Sequence, residues 1–490
     1  MPPASRHGRV PWQGNYPAAV ALALLALCPF IVLSTASLLF ERQLVADLGT
    51  SRLGIQLADG LANAGYAFGA VLTADLIQRI PGRSIFLACE AGFVVGSALA
   101  ALAPGITPFV AGRTLQGLTT GMLLVAALPP LVTNHGARRL PLTAAFINLG
   151  LFGVVTLGPL VGGVVGALSA WRPLFVAIAV LGVAGFVVGL RAFDRGTAPS
   201  PGMGFDYSAI PVAAAATFLP FVGVSLLSAM SFTSPAILVP LVLGLAALGT
   251  LLVRQYRKPE ALMPLKLLAH TLPVTGVSVA MVAGAGFTTL IELAVTYLTE
   301  LAGRPPLEVG ALLATQLAGV VVAAWLFKTM LPTRWLPVLA FTGLLLVAAG
   351  GGALLGLGGR HGLLAVAAAG LLLGFGAGAG VAPGLFMAGL SVPSNRLGPT
   401  FALVELLRSE AAFLVGPILL GIATAVGVHV AVLVVVVAAV VGTGGFGLLL
   451  LLGGARPHSP DLEGWLSGDA TAYHSPPLAA TLRRKPVAGR

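Results

Sequence analysis

An arginine stands in the stretch "RTLQGLTTGM" (Arg113 to Met122), inside a segment that begins "ITPFVAG" and ends "LLVAALPPL". A guanidinium cannot shed its proton at any relevant pH, and placing it in the outer half of an apolar helix is costly unless it faces partners or water. Arg113 is therefore expected to face inward, toward an acid. Other ionisable side chains sit in apolar stretches of the same kind: Asp59, Glu90, Glu292, Glu405, Arg408 and Glu410. Glu405 and Arg408 lie three apart, close enough on one helix to neutralise each other, whereas Glu410 has no evident helical partner. A carboxylate without a partner in apolar surroundings is held most cheaply as the neutral acid, so it can take up and release protons. Glu410 and Asp59 are the leading proton carriers on this reading. Glu90 lies near the inner end of its segment, where snorkelling would explain it, and Glu292 lies in the outer half of its own.

The elements that position these residues follow from composition. Of 490 residues, 57% are hydrophobic and 9% charged, which excludes a water-soluble globule. Crossing a hydrocarbon layer takes about 20 apolar residues. Fourteen such runs are expected, near residues 17–40, 55–77, 84–103, 106–131, 141–167, 171–193, 209–230, 235–253, 273–298, 307–327, 335–358, 362–388, 399–427 and 428–452. Span 1 follows Arg6 and Arg9, but its apolar run is too long for a signal peptide and no cleavage site follows it. It reads as an uncleaved first helix.

The net charge of +11 does not point to nucleic acid once the basic residues are sorted by loop. With the N-terminus inside, roughly twenty fall on that side and about five outside, a positive-inside bias. The inner set is Arg6, Arg9, Arg79, Arg83, Arg138, Arg139, Arg191, Arg195, Arg254, Arg257, Lys258, Lys266, Lys328, Arg334, Arg396, Arg456, Arg483, Arg484, Lys485 and Arg490; the outer set is Arg42, Arg52, Arg172, Arg304 and Arg360. Both termini are expected to be cytoplasmic. Cys28 and Cys89 lie within spans, as small apolar packers rather than a disulfide framework. No phosphate loop, H-E-x-x-H or G-x-S-x-G pattern occurs, and the histidines show no metal-ligand spacing. No enzyme activity, cofactor or metal is expected.

Internal similarity organises the spans. "GPLVGG" at Gly158 to Gly163 returns as "GPILLG" at Gly416 to Gly421, 258 residues on (416 minus 158). About the same offset carries "GLTTG" (Gly117 to Gly121) onto "GAGAG" (Gly376 to Gly380) and span 1 onto span 9. The expected fold is an all-α integral membrane protein of about 14 transmembrane helices, with two six-helix bundles in a parallel pseudo-repeat and an inserted central helix pair. In residue numbers this means a cytoplasmic N-terminus (1–16), an N-terminal bundle (17–193), the inserted pair (209–253), a C-terminal bundle (273–452) and a cytoplasmic tail (455–490). The Pro- and Gly-rich loop Asp194 to Ala209 separates the halves. The tail loses its apolar runs and is expected to be disordered, its basic end read as a solvated terminus in preference to a contact with anionic lipid.

These words resemble the major facilitator superfamily, specifically its fourteen-span drug:proton antiporter branch. The strongest match is "GVVTLGPLVGG" in span 5 (Gly153 to Gly163), followed by "WRPLF" at Trp171 to Phe175. Its glycines, Gly158, Gly162 and Gly163, permit close helix approach, and Pro159 bends the helix, so span 5 can seal against a neighbour across the half interface. "RxxQGxxxG" in span 4 is matched by Arg113, Gln116, Gly117 and Gly121, and the resemblance implies a role in proton coupling. "DLIQRIPGRS" resembles the family's gate motif through Asp75, Gly82 and Arg83, with longer spacing and Ser84 where a second base is usual; an Asp there can cap or tether a neighbouring helix. Later landmarks follow in order at Arg254 to His270, Tyr297 to Leu313 and Asn395 to Gly416.

One departure matters. This branch usually carries an Asp near the middle of span 1, and "LALCPFIVLST" offers Cys28 instead. Asp59 and Arg113 lie at similar depth below the outer face on spans of the same direction, so Asp59 is expected to supply the missing charge partner. The function implied is export of a lipophilic small molecule, a drug or toxic metabolite, in exchange for protons. The alternatives are a symporter or facilitator of a nutrient or secreted metabolite, and a transport-inactive scaffold or sensor. The expected partners are a small-molecule substrate, protons and membrane lipid, with no nucleic acid. An arginine-rich, lysine-poor composition suggests a bacterium with a GC-rich genome, hence a bacterial inner membrane.

Overall fold

A computed structural model describes residues 12–198, 206–258, 263–359, 361–456, 458–478 and 480–483. Arg6, Arg9, Arg360, Arg484, Lys485 and Arg490, and the side chain of Arg483, lie outside what is described. Fourteen helices among the described residues are long and apolar enough to cross a membrane. Spans 1 to 6 are Tyr16–Leu39, Arg52–Arg79, Gly82–Ala101, Ile106–Thr133, Ala137–Leu168 and Trp171–Ala192. Spans 7 and 8, Ala209–Ser228 and Pro235–Arg257, form the inserted pair. Spans 9 to 14 are Thr271–Leu301, Pro306–Met330, Leu336–Leu354, Gly362–Gly389, Ser394–Val426 and Val428–Gly453. The chain is thus an all-α multi-pass membrane protein of two six-helix bundles with an inserted central pair. Because consecutive spans alternate in direction, the end of the bundle that holds the start of span 1 is called the near face, and the opposite end the far face.

Local chemistry sets several helix starts. The Asn15 side chain accepts the Ala18 N–H at 3.4 Å ahead of Pro17, which caps an end that would otherwise leave donors unpaired. Span 8 opens on Ser234 and Pro235, the residue types favoured at a helix start. Within spans 5 and 9 the regular winding loosens into a π-turn, at Leu149–Gly153 and Tyr297–Leu301, an insertion that tends to mark functional segments.

In lipid there is no hydrophobic gain from bringing helices together, so small residues and close backbone approach must supply the attraction. Spans 2 and 4 show this plainly. A Cβ added at Gly117 would stand 1.8 Å from the Ala62 carbonyl oxygen, and one at Gly121 would stand 1.9 Å from that of Tyr66. From the other side, a Cβ at Gly69 would meet the Leu118 carbonyl at 2.1 Å. No side chain of any kind fits at these crossings.

The inserted pair does not stand apart from the bundles. Phe221 and Val224 of span 7 form an apolar cluster with Ala64 of span 2 and Leu414 of span 13, and the Phe221 and Phe413 rings lie 6.4 Å apart. Ser225 Oγ also donates to the Gln56 carbonyl at 3.3 Å. Span 7 therefore covers the seam where the two halves meet along spans 2 and 13. Span 8 packs behind it, Gly244 against Pro220, and exposes Val239, Val242 and Leu243.

The tail corrects an expectation. Composition suggested disorder after residue 455, but the described part, residues 458–478, is docked on the near face. A short helix (Leu462–Leu466) starts with the Asp461 side chain accepting the Gly464 N–H, and Trp465 is buried with its Nε1 donating to the Val392 carbonyl at 2.7 Å. Both Ala472 and Tyr473 N–H groups donate to the Leu390 carbonyl, and Thr271 N–H donates to that of Pro476. A sparse set of apolar anchors suffices here because the helix ends of spans 9, 12 and 13 already present a surface and free carbonyls. Apolar runs are required to cross lipid, not to lie on such a face.

Two outcomes test this packing. Gly121→Ala is expected to cost about 1–3 kcal/mol by overpacking, read as a lower thermal midpoint, whereas Gly249→Ala, where nothing lies within 4 Å of an added Cβ, is expected to leave the midpoint unchanged. Trp465→Ala is expected to expose the tail to limited proteolysis at a protease dose that leaves the native tail intact; equal cleavage of the two would mean that the tail is not docked.

Candidate functional site

The two-backbone crossing of spans 2 and 4 fixes what surrounds Arg113. Its side chain is 3% exposed. Nη2 donates to Asp59 Oδ1 on span 2 at 2.8 Å, and Nη1 donates to Gln116 Oε1, one turn along its own helix, at 3.1 Å. The Gln116 amide in turn donates to Ser97 Oγ of span 3 at 2.8 Å, which holds the glutamine in the orientation that offers its oxygen to the guanidinium. Rings close the remaining sides, Phe30 of span 1 at 5.5 Å and Phe175 of span 6 at 5.8 Å, with the faces that attract a cation. Asp59 is different. Its side chain is 33% exposed, so the acid of the pair is reachable while the base is enclosed.

A second ion pair lies deeper, on span 13 in the other half. Arg408 pairs with Glu405 on the same helix, with Tyr66 of span 2 near enough to sense both charges. Glu410, a turn and a half from Glu405, is buried, and among the described residues neither carboxylate oxygen has a hydrogen-bond partner. Toward the far face the two halves share charges. Arg52, at the start of span 2, lies 3.4 Å from Glu41 of the loop after span 1 and 2.9 Å from Glu300 at the end of span 9. Burial pushes the Glu41 carboxyl up from its ordinary value, with Arg52 working against it. Glu292 of span 9 faces Glu41, Arg52 and Asp59 and has one oxygen against Gly416 of span 13.

Span 5 packs both ways through its glycines. A Cβ at Gly162 would meet the Ala36 carbonyl of span 1 at 2.2 Å, and one at Gly158 would meet Thr35 Oγ1 at 1.9 Å. On the opposite side Gly163 lies against Pro306 of span 10, and Gly310 of span 10 against the Pro159 carbonyl, at 2.6 Å and 2.4 Å by the same measure. Pro159 has no N–H to offer the Val155 carbonyl four residues back, and Thr35 of span 1 donates to that carbonyl at 2.7 Å. Toward the near face, Asn148 of span 5 donates to the Gly378 carbonyl of span 12 at 3.0 Å. Near-face contact also joins span 4 to span 13, with Gly398 beside Pro129.

Other residues singled out from the sequence are placed differently. Asp75 is buried and pairs with Arg79 on its own helix, not with a neighbouring span. The tether is Arg83, which donates to the Leu190 and Phe193 carbonyls at 2.8 and 2.9 Å and so caps the end of span 6, with Gly82 against the Phe193 ring. The Cys28 thiol donates to the Gly150 carbonyl at 3.3 Å, within the π-turn of span 5. Glu90 does not snorkel: it is wholly enclosed against Gly185 of span 6, and among the described residues neither oxygen has a hydrogen-bond partner.

Sequence reasoning missed Tyr66, Phe30 and Ser97 as parts of these clusters. Tyr66 carried one signal, its spacing of seven from Asp59, two helical turns on the same face. Phe30 carried none, because an aromatic residue in an apolar span looks like any other packing residue.

Comparison with known proteins places this geometry. A sequence profile of the Major Facilitator Superfamily matches residues 22–342. A multidrug resistance protein B homolog of Mycobacterium tuberculosis is 25% identical over 359 residues, 69% of this chain and 64% of that protein. The multidrug efflux pump LfrA of Mycolicibacterium smegmatis is 29% identical over 347 residues, covering 68% and 66% of the two chains. A tetracenomycin C resistance and export protein of Streptomyces glaucescens is 27% identical over 325 residues, covering 66% of this chain and 59% of its own. The matches thus span about two thirds or less of these relatives' lengths. Among solved structures, a POT peptide transporter superposes with a TM-score of 0.64 at 18% identity over 90% of this chain and 96% of its own. A human organic anion transporter gives 0.61 at 15% over 88% and 99%. At such identities these two show the fold alone.

The Asp59–Arg113 pair makes a non-additive prediction. Asp59→Asn strands an enclosed guanidinium and is expected to lower thermal stability, and adding Arg113→Met is expected to recover part of the loss, with a coupling of about 0.5–3 kcal/mol. Additive thermal shifts would mean that the two side chains do not depend on each other.

Proposed function

The chain belongs to the Major Facilitator Superfamily, and from that premise we propose that it exports a lipophilic small molecule, a drug or toxic metabolite, in exchange for protons. The observation that carries the reading is the asymmetry of the Asp59–Arg113 pair: a permanently charged guanidinium enclosed by rings and Gln116, facing an acid whose side chain is 33% exposed. Protonating Asp59 removes the counter-charge that makes the arginine's position tolerable. The site then prefers a different arrangement of the halves, which is what exchange requires of a coupling group. Relatives whose names describe multidrug resistance and efflux support the direction and the substrate class.

On this reading the membrane is the bacterial cell membrane, the near face and both termini are cytoplasmic, and the far face with Arg52, Glu41 and Glu300 is outside. Glu292 and Glu410 are further carriers, Glu292 beside the outer charge cluster and Glu410 at mid-depth in the other half. Gly82 and Arg83 serve the near-face gate by holding spans 3 and 6 together, and Asp75, paired with Arg79, serves it at the end of span 2. The partners are the exported compound, protons and lipid, and the chain is a carrier without cofactor, metal or catalytic step. The energy source is adequate, since one charge crossing 100 mV gains roughly 2.3 kcal/mol. A symporter is the second reading, favoured by the seat of Cys28, where span 1 carries no acid and its thiol is engaged by span 5.

Everted vesicles separate the two. For an exchanger, an acid interior drives uptake of a lipophilic cationic dye, and Asp59→Asn is expected to reduce that gradient-driven component by about tenfold or more. Dye and protons moving in the same direction would establish symport, and an Asp59→Asn variant that keeps the native gradient dependence would remove Asp59 from the coupling.

A further inference from the structure

The docked tail touches both halves, and it does so in two different ways. Several of its hydrogen bonds go to the C-terminal half: Trp465 Nε1 donates to the Val392 carbonyl at 2.7 Å, and the Ala472 and Tyr473 N–H groups donate to that of Leu390 at 2.8 and 3.0 Å. In return the Leu272 N–H donates to Ser475 Oγ at 2.8 Å, the Thr271 N–H to the Pro476 carbonyl at 3.0 Å, and Asn395 Nδ2 to Asp469 Oδ1 at 3.3 Å. Spread over the start of span 9 and the loop between spans 12 and 13, these bonds fix the tail to one bundle. Against the N-terminal half the tail packs. The Trp465 ring, 1% exposed, shares an apolar recess with Val132 of span 4, Phe386 of span 12, and Leu397 and Phe401 of span 13. The short tail helix also lies against residues 137–139, where span 5 begins. This recess stands where the halves meet on the near face: Val132 is within one helical turn of Pro129, and Leu397 adjoins Gly398, which lies beside Pro129.

We propose that the docked tail is an autoinhibitory strap, hung by its hydrogen bonds on the C-terminal half and keeping the near face shut by laying Trp465 and the tail helix against spans 4 and 5. When the halves rock open at this face, Pro129 and Gly398 separate, and a tail bonded to one half must leave the other. Its contacts with Val132 and with residues 137–139 therefore last only while the face is closed. An element that makes contacts in one arrangement and loses them in the other favours the first by the difference between the two. The bonds to the C-terminal half are common to both arrangements, so they shift nothing and serve only to keep the wedge in place. Tryptophan suits the wedge. Its ring buries a large apolar area while its N–H still finds a partner, here the Val392 carbonyl. What the strap restrains rests on the export reading above. On that reading cargo loads from the near face, so only the fraction of molecules open there can take it up, and the apparent affinity is reduced by that fraction.

The experiment uses the full-length chain in lipid nanodiscs. Cys28 and Cys89 are replaced by alanine, and that protein is the reference for every comparison. Ala402→Cys reads the near face: Ala402 is wholly enclosed and lies about one turn beyond Gly398 on span 13, so N-ethylmaleimide reaches it when the face opens. Binding of a lipophilic cationic dye, followed by fluorescence polarisation, reads loading. Both readouts scale with the open fraction, so Trp465→Ala is expected to speed alkylation and to tighten dye binding by the same factor, about fivefold or more. Trp465→Phe, which keeps a ring in the recess, is expected to retain most of the restraint. Val132→Ala approaches from the other half. It leaves the tail's hydrogen bonds, and hence its resistance to protease, in place, yet is expected to speed alkylation by about threefold and to add nothing to Trp465→Ala. A Trp465→Ala protein whose tail is cut by protease while both readouts stay at the reference overturns the strap and leaves the export reading standing. Where Trp465→Ala does not fold, Val132→Ala decides alone, and alkylation at the reference rate overturns the strap. Faster alkylation with dye binding unchanged supports the strap and overturns loading from the near face.

Discussion

A charge that cannot be neutralised by losing a proton must be neutralised by its surroundings, and Arg113 imposes that requirement on five helices. Span 2 supplies the acid, span 3 the serine that orients Gln116, spans 1 and 6 the ring faces, and span 4 the arginine itself. Losing any one of these leaves a donor or a charge unpaired in a medium where that is costly. The N-terminal bundle is therefore organised around a polar centre as much as around apolar packing. The acid alone keeps an open side, so the centre has one part that solvent can address and four that it cannot.

Glycine makes such a centre possible. Hydrogen bonds near 3 Å between side chains on adjacent helices require backbones closer than branched side chains permit. Gly117 and Gly121 bring span 4 onto span 2 about one and two helical turns beyond Arg113. The same economy appears at the half interface, where Gly158 and Gly162 seat span 1 while Gly163 takes span 10. These last contacts involve no interlocking side chains, and directional bonds flank them: Thr35 of span 1 donates to the Val155 carbonyl at 2.7 Å and Asn148 donates to that of Gly378 at 3.0 Å.

The fourteen spans and the repeat were legible in the sequence because hydrocarbon thickness dictates length and repeated close approach dictates repeated glycine. The inward orientation of Arg113 and the Glu405–Arg408 pair were legible for the same kind of reason, since a fixed charge or an i,i+3 spacing leaves few alternatives. Other parts were not. Asp75 was read as a tether to a neighbour, but Arg79 lies four residues on, nearer than any other span, and Arg83 takes the tethering role by capping span 6. The tail's Trp465 was unreadable because its anchor is a backbone carbonyl, which every sequence offers everywhere. Phe30 and Tyr66 were hidden by chemistry that a hydropathy scale counts as apolar.

The cysteine in span 1 clarifies what the centre demands. Spans 1 and 2 both line Arg113, Phe30 from one and Asp59 from the other. A guanidinium responds to the sign and distance of a neighbouring charge, and nothing in Coulomb's law records which helix carries it. An acid on span 2 at the right depth therefore meets the need that an acid on span 1 would meet, and a second one within the same cage would repel the first. With the acid placed on span 2, the position on span 1 is released for packing, and Cys28 fills it by bonding the π-turn of span 5. The exchange of helix has a mechanical consequence as well. Span 2 runs along the seam beside span 13, so the acid rides on the same rigid element as Ala64, which packs with Leu414 of the other half.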